Sequence, residues 1–177
     1  MTLGTMATDV ELRIDFDAMR KYRLQRAREM MEKYELGALV CFDNDNIRYI
    51  TNTNLHEWTR GKYFRWSVLP RDGEPYLFEV GTAAVVKREL CPWLEPENIR
   101  PSMPWHRGAN PHALNVELAR NAVGEIKAIL QKHDVASMPV GVDEMEMYFI
   151  DAMNHHGLKI ANAYDAMFDA RIIKSAE

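Results

Sequence analysis

Gly37-Ala38-Leu39-Val40-Cys41-Phe42-Asp43-Asn44-Asp45-Asn46-Ile47-Arg48-Tyr49-Ile50-Thr51 is the stretch whose reading decides the fold. Ala38 to Phe42 is an unbroken apolar run, which suits a strand covered on both faces better than one with a wet side. Asp43 to Asn46 is a cluster of turn and cap formers. Ile47 to Thr51 then reads as a short helical turn leading into a polar loop. Upstream, Asp15 is placed to cap a helix in which Met19, Arg23, Ala27, Met30, Met31 and Tyr34 recur at three- and four-residue steps, with Leu36-Gly37 as its stop. A helix feeding a doubly covered strand is an α/β signal.

Downstream, Tyr63 to Pro70 and Pro75 to Val80 read as a hairpin about Asp72-Gly73. Thr82 to Leu90 reads as a short helix capped by Thr82 and stopped by Pro92, and Ile99-Arg100 as a short strand among prolines. Asn110 as cap with Pro111 at the first helical position opens a long helix with Leu114, Leu118, Ala122, Ile126, Ile129 and Leu130 on one face. Met138 to Val142 is a strand. Asp143 with Glu146 forms a capping box for a helix that buries Met145, Phe149, Ala152 and Met153 and ends at Gly157. Leu158 to Ala163 is a further strand, and Tyr164 to Glu177 reads as a turn with a strand at Arg171-Ile172-Ile173. The expected fold class is α/β, a mixed β-sheet with helices on its faces.

The 177 residues carry 22 Lys+Arg and 26 Asp+Glu, a formal charge of −4, with no long basic run, so nucleic acid is not an expected partner. No apolar run approaches the ~18 residues needed to cross a bilayer, so no membrane association is expected. Two cysteines, Cys41 and Cys91, give no disulfide framework, and residues 1–14 lack a signal-peptide pattern. A cytoplasmic location is the expectation. The six histidines form no H-x-x-x-H pair, and His155 and His156 suit a helix C-terminus. Asp43 to Asn46 is a turn and cap, since Ile47 and Arg48 stand where a calcium loop needs a ligand and a glycine. There is no G-x-S-x-G elbow, no glycine-rich phosphate loop, and Cys41 sits in apolar surroundings that raise a thiol's pKa. Neither catalytic residues nor metal ligands are expected in this chain.

Two stretches combine cations with aromatic rings. Leu55 to Trp66 packs Trp58, Tyr63, Phe64 and Trp66 with Arg60, Lys62 and Arg65. Guanidinium binds carboxylate bidentately and rings attract cations, so this is a candidate recognition segment; the alternative is a hairpin edge with core rings and solvated charges. Met103 to Gly108, with Trp105 and His106, lies in a proline-rich loop that is either functional or a packed surface loop. The candidate substrate-binding residues are therefore Trp58, Arg60, Arg65, Trp105 and His106.

Three pieces together resemble a known family. Asn46-Ile47-Arg48-Tyr49-Ile50-Thr51, directly after a buried strand, resembles the "NIRYLTG" signature of the N-terminal domain of the creatinase/prolidase/aminopeptidase P family. Met19-Arg20-Lys21-Tyr22-Arg23 followed by Gly37-Ala38-Leu39-Val40 fits that family's opening of helix, glycine, strand. Ala170-Arg171-Ile172-Ile173-Lys174-Ser175-Ala176-Glu177 is similar to the "R.IKS..E" linker into its catalytic domain. Phe42-Asp43 followed by Asn46 to Tyr49 also looks like the branch of dimethylsulfoniopropionate lyases and ectoine-hydrolase-like enzymes. Asn52 stands where the family has glycine, and asparagine tolerates the left-handed conformation such a turn needs.

The resemblance implies a tail at 1–14, a creatinase-like N-terminal domain at 15–170 and the start of a linker at 171–177. It implies that the pita-bread catalytic domain, with its pair of divalent metal ions such as manganese held by Asp, His and Glu, is not in this chain. It further implies a homodimer, a small-molecule or dipeptide substrate, and a noncatalytic domain that assists dimerisation and substrate access. In creatinase an aromatic–arginine segment reaches the substrate carboxylate, which makes Arg60 and Arg65 the matching candidates here. The other readings are a free-standing small-molecule binding module and a protein-interaction module.

Overall fold

The computed structural model describes residues 14–54, 64–105 and 110–174. Asp15 caps α1 (Phe16–Lys33) as expected, its carboxylate accepting the Ala18 amide at 2.9 Å. The helix stops at Tyr34, and Glu35 makes the left-handed turn at φ 55°. Gly37 is needed for a different reason, since a Cβ there would lie 2.6 Å from that of Met138.

The strands are β1 (Ala38–Cys41), β2 (Trp66–Pro70), β3 (Tyr76–Val80), β4 (Ile99–Ser102), β5 (Val140–Val142) and β6 (Ile160–Asn162). They form one mixed sheet in the order β4-β3-β2-β1-β5-β6, with β2 antiparallel to both neighbours and the other pairings parallel. β1 is central, with Val40 opposite Val68 on one side and Val142 on the other. Alternation along β1 feeds two cores. Ala38, Val40 and Phe42 join the layer packed under α4 (His112–Lys132) and α5 (Met147–His155). Leu39 and Cys41 join the opposite layer, with Ala27 and Met31 of α1 and Ile47 and Ile50 of α2 (Asn44–Thr51). An apolar residue is required at every position, which is why the run shows no alternation.

Asp43 caps α2, accepting the amides of Asp45 and Asn46. Asn52 ends it in the left-handed region at φ 52°, the conformation expected of a residue standing in for glycine. The β2–β3 hairpin forms about Asp72-Gly73, where Gly73 leaves room for the His133 ring, 2.5 Å from where a Cβ would sit. Gly157 closes α5 at φ 69°.

Several local expectations are corrected. Arg171-Ile172-Ile173 is no strand: Tyr164–Ile172 forms a helix, α6. Ala166, Met167 and Ala170 form its buried face, and Asp169 is held by Lys33 at 2.7 Å and by the Tyr34 hydroxyl at 2.9 Å. Tertiary packing on α1 outweighs the strand preference of two isoleucines at the helix end. The expected capping box does not form either. Glu146 itself caps α5, accepting the Tyr148 and Phe149 amides at 2.9 and 2.7 Å, and Asp143 is used elsewhere. Pro111, not Asn110, occupies the cap position of α4, and Thr82 makes no side-chain cap bond to α3 (Ala83–Leu90). Leu114 and Met145, expected in the core, are exposed: Met145 lies before the Glu146 cap of α5, outside the helix, and Leu114 sits in the first turn of α4.

Candidate functional site

The parallel strands β1, β5 and β6 end side by side, so the chain segments that follow them converge at one edge of the sheet, the usual place for sites in open α/β folds. A recess of about 240 Å³ lies there, lined by Asp43, Asp45, Asn46, Asp143, Tyr164 and Arg171 among others. Two of the motifs read from the sequence meet in its wall.

Asn46 is the hinge pin. Its Nδ2 donates to Asp143 Oδ2 at 2.9 Å, and its Oδ1 accepts from Arg171 Nη1 at 2.8 Å. Arg171 Nη2 also reaches Asp45 Oδ2 at 3.3 Å. The Asp143 carboxylate accepts the amides of Phe42 at 2.8 Å and Asp43 at 3.1 Å, tying β5 to the β1–α2 turn. Burial pushes the Asp143 carboxyl up from its ordinary value, and these three donors oppose the shift. One turn on, Tyr49 donates its hydroxyl to Ala170 O at 2.7 Å. Burial pushes that phenol up to about 12, so it stays a donor. Tyr22 adds a bond to Ile173 O at 3.3 Å. The Asn-Ile-Arg-Tyr motif thus clamps α6 from side chain and backbone together. Arg48, between the two clamping residues, faces outward.

The five residues singled out for substrate binding separate. Trp58, Arg60 and His106 lie outside the described residues. Arg65 is 1% exposed and faces inward: its Nη2 donates to Thr53 Oγ1 at 2.6 Å and pairs with Glu79 Oε2 at 3.1 Å. Lys87, also buried, donates to Asn54 O at 2.8 Å beside them. Burial holds both cations below their ordinary pKa values, while Glu79 pulls them back up. Trp105 is fully buried in an aromatic cluster with Phe42, Trp66 and Phe149, its indole N–H donating to Glu146 at 2.5 Å. Arg65 and Trp105 are therefore 40 residues apart in sequence and on opposite faces of the sheet, one ion-paired and the other in the core.

Glu79 and Asp143 carry geometry that the sequence reading assigned to neither. For Glu79 a signal existed. It is a single charge in the strand Tyr-Leu-Phe-Glu-Val, and the hairpin register Trp66 to Phe78 sets it across from Arg65. Cys41 is buried, and desolvation pushes its thiol well above the ordinary value. Among the described residues no group of three or more His, Cys, Asp or Glu is placed to hold a metal ion. Among them, too, no helix is long and apolar enough to cross a membrane.

Residues 23–163 match the family described as the Creatinase/Prolidase N-terminal domain. The chain is 21% identical over 179 residues to a dimethylsulfoniopropionate lyase from Roseovarius nubinhibens, covering 100% of this chain and 39% of that protein. The chain therefore spans well under half the length of this curated relative. Among solved structures it resembles a proline dipeptidase from Streptococcus pneumoniae, with TM-score 0.55, 17% identity, and coverage of 85% of this chain and 98% of the other. It also resembles a dipeptidase from Pyrococcus horikoshii, with TM-score 0.54 and 16% identity, covering 87% of this chain and 37% of that one. At these identities the structural likeness establishes the fold.

Proposed function

The chain belongs to the Creatinase/Prolidase N-terminal domain family, and from that premise we propose that it is the noncatalytic N-terminal domain of a cytoplasmic, dinuclear-metal enzyme of the peptidase-like class. In this reading it contributes to dimerisation and to substrate access at an active site built by a catalytic domain. The observation that carries the reading is the clamp. Asn46, Asp143 and Arg171, with Tyr49 on Ala170, spend a motif's polar groups on fixing the direction in which the polypeptide leaves α6. A free-standing binding module has no use for a rigid exit; a domain that must present surface to a neighbour does. Trp58, Arg60 and His106 remain the candidates for the substrate mouth, while Arg65 and Trp105 are buried and serve the domain's own packing.

The isolated chain is expected to show no hydrolysis of Xaa-Pro dipeptides with added manganese, and robust turnover would refute the noncatalytic reading. In the full-length protein, Arg171→Ala should lower kcat/KM without unfolding the domain, because the clamp sets orientation. The activity of the lyase relative favours a second candidate for the whole enzyme, lysis of dimethylsulfoniopropionate. Assaying the full-length protein on both substrates separates the two. Calorimetric titration of the isolated chain with creatine, ectoine and dimethylsulfoniopropionate tests the binding-module alternative, which tight binding would favour.

A further inference from the structure

We infer that the outward face of α6 is the seat on which the following domain of the same polypeptide docks; this rests on the reading that such a domain follows. The helix is apolar on both sides, with the size of its residues inverted. Its inner face on α1 uses Ala166, Met167 and Ala170. Its outer face carries the large residues Tyr164, Phe168 and Ile172 at four-residue steps, continued by Ile173, at 65, 55, 59 and 57% exposure. A helix ending its role at α1 would place its bulk inward, where burial stabilises. Outward bulk at helical spacing is prepared for a second layer.

Area decides what kind of layer. The four side chains expose on the order of 400 Å². An independent dimer needs about 800 Å² per partner, so a second copy held by this face alone is disfavoured. Contacts between domains of one chain begin at about 600 Å² in total, or about 300 Å² a side, and a tether supplies an effective concentration in the millimolar range. Lys174 follows Ile173 directly, so polypeptide continuing from α6 starts beside the face, already aimed by the Arg171 clamp. The chain also accounts for 39% of the lyase relative it matches, which leaves a larger remainder to be seated. The recess beside the stripe has Tyr164 and Phe168 of α6 in its wall, next to Asp43, Asp45 and Arg171, so the apolar face is continuous with the edge of the sheet where the site lies.

Hydroxyl-radical footprinting of residues 1–177 and of the protein extended to the end of its reading frame tests this. Tyr164 and Phe168 are expected to be oxidised several-fold less in the extended protein, with Leu114 unchanged. Phe168→Asp in the extended protein should split one thermal transition into two, whereas Phe168→Leu should keep one. Equal oxidation of Phe168 in both proteins overturns the docking face alone. A reading frame that closes at Glu177 overturns both this inference and the proposed function. A stable dimer of the 1–177 chain that Phe168→Asp abolishes shows the occupant to be a second copy and overturns the assignment to a following domain.

Discussion

Glu79→Ala should be among the most damaging single substitutions in the domain, more so than Arg65→Met. The pair is 3.1 Å apart with side chains 1% and 4% exposed, so solvent screens it little. At an effective dielectric of about 20, two unit charges at that separation attract by about 5 kcal/mol. Removing one partner of such a buried pair typically costs about 3–5 kcal/mol, because the other charge is left desolvated. Truncating Glu79 strands two cations, since Arg65 and Lys87 share its field. Removing Arg65 leaves Glu79 with Lys87 still near, so the cost should fall to about 2–3 kcal/mol. The double variant Arg65→Met, Glu79→Met leaves the field at Lys87 nearly unchanged, because Arg65 pushes that amine down and Glu79 pulls it up. Its cost should stay within about 1.5 kcal/mol, as apolar replacement of buried pairs usually does. Urea denaturation of the wild type, Glu79→Met, Arg65→Met and the double variant closes the cycle; with Glu79→Met costing about as much as Glu79→Ala, a coupling energy of about 4–6 kcal/mol is expected. A cost under about 1 kcal/mol for Glu79→Ala would mean the pair is hydrated in solution, and Arg65 would then be available to a substrate after all.

The clamp can be tested through Asp143→Ala, which leaves two turn amides and the Asn46 amide without their acceptor; about 2–4 kcal/mol should be lost by urea denaturation, and a loss below about 0.5 would refute the tie. Asp169→Asn probes the α1–α6 contact by pH: Lys33, then Tyr34, hold the Asp169 carboxyl below its ordinary range. That stabilisation is present above about pH 4 and is lost as pH falls through the lowered value. The two proteins' stability curves should therefore converge in acid, and parallel curves down to pH 2 would contradict the contact. Gly73→Ala should cost about 1–3 kcal/mol by pushing a Cβ into His133, and His133→Ala should relieve it in the double variant. Gly81→Ala meets nothing within 4 Å but sits at φ +47°, so its roughly 1 kcal/mol penalty is conformational and no second substitution at a neighbour should rescue it.

Residues 37–51 supplied the first α/β signal, and the order of helices and strands along the chain, with the hairpin inside it, gave the fold class. An apolar run without alternation suits a strand with both faces covered, and the cap cluster behind it suits the start of a helix on one of them. The left-handed Asn52 and the stops at Pro92 and Gly157 were equally legible, because each follows from the conformational freedom of one residue type. What only the tertiary structure decided is where side chains separated along the chain meet. Asp143 and Glu146 have capping-box spacing, yet Asp143 accepts the amides of Phe42 and Asp43 in the β1–α2 turn, about 100 residues away, and spacing carries no information about that distance. Arg171 to Ile173 has strand composition, and packing on α1 made its start a helix. Arg65 had the chemistry of a carboxylate clamp, and the carboxylate it found was Glu79 in the next strand. Local conformational energies are written in neighbouring residues; the partners of charged and polar groups are set by which strands pair, and that order, β4-β3-β2-β1-β5-β6, exists only once the sheet has formed.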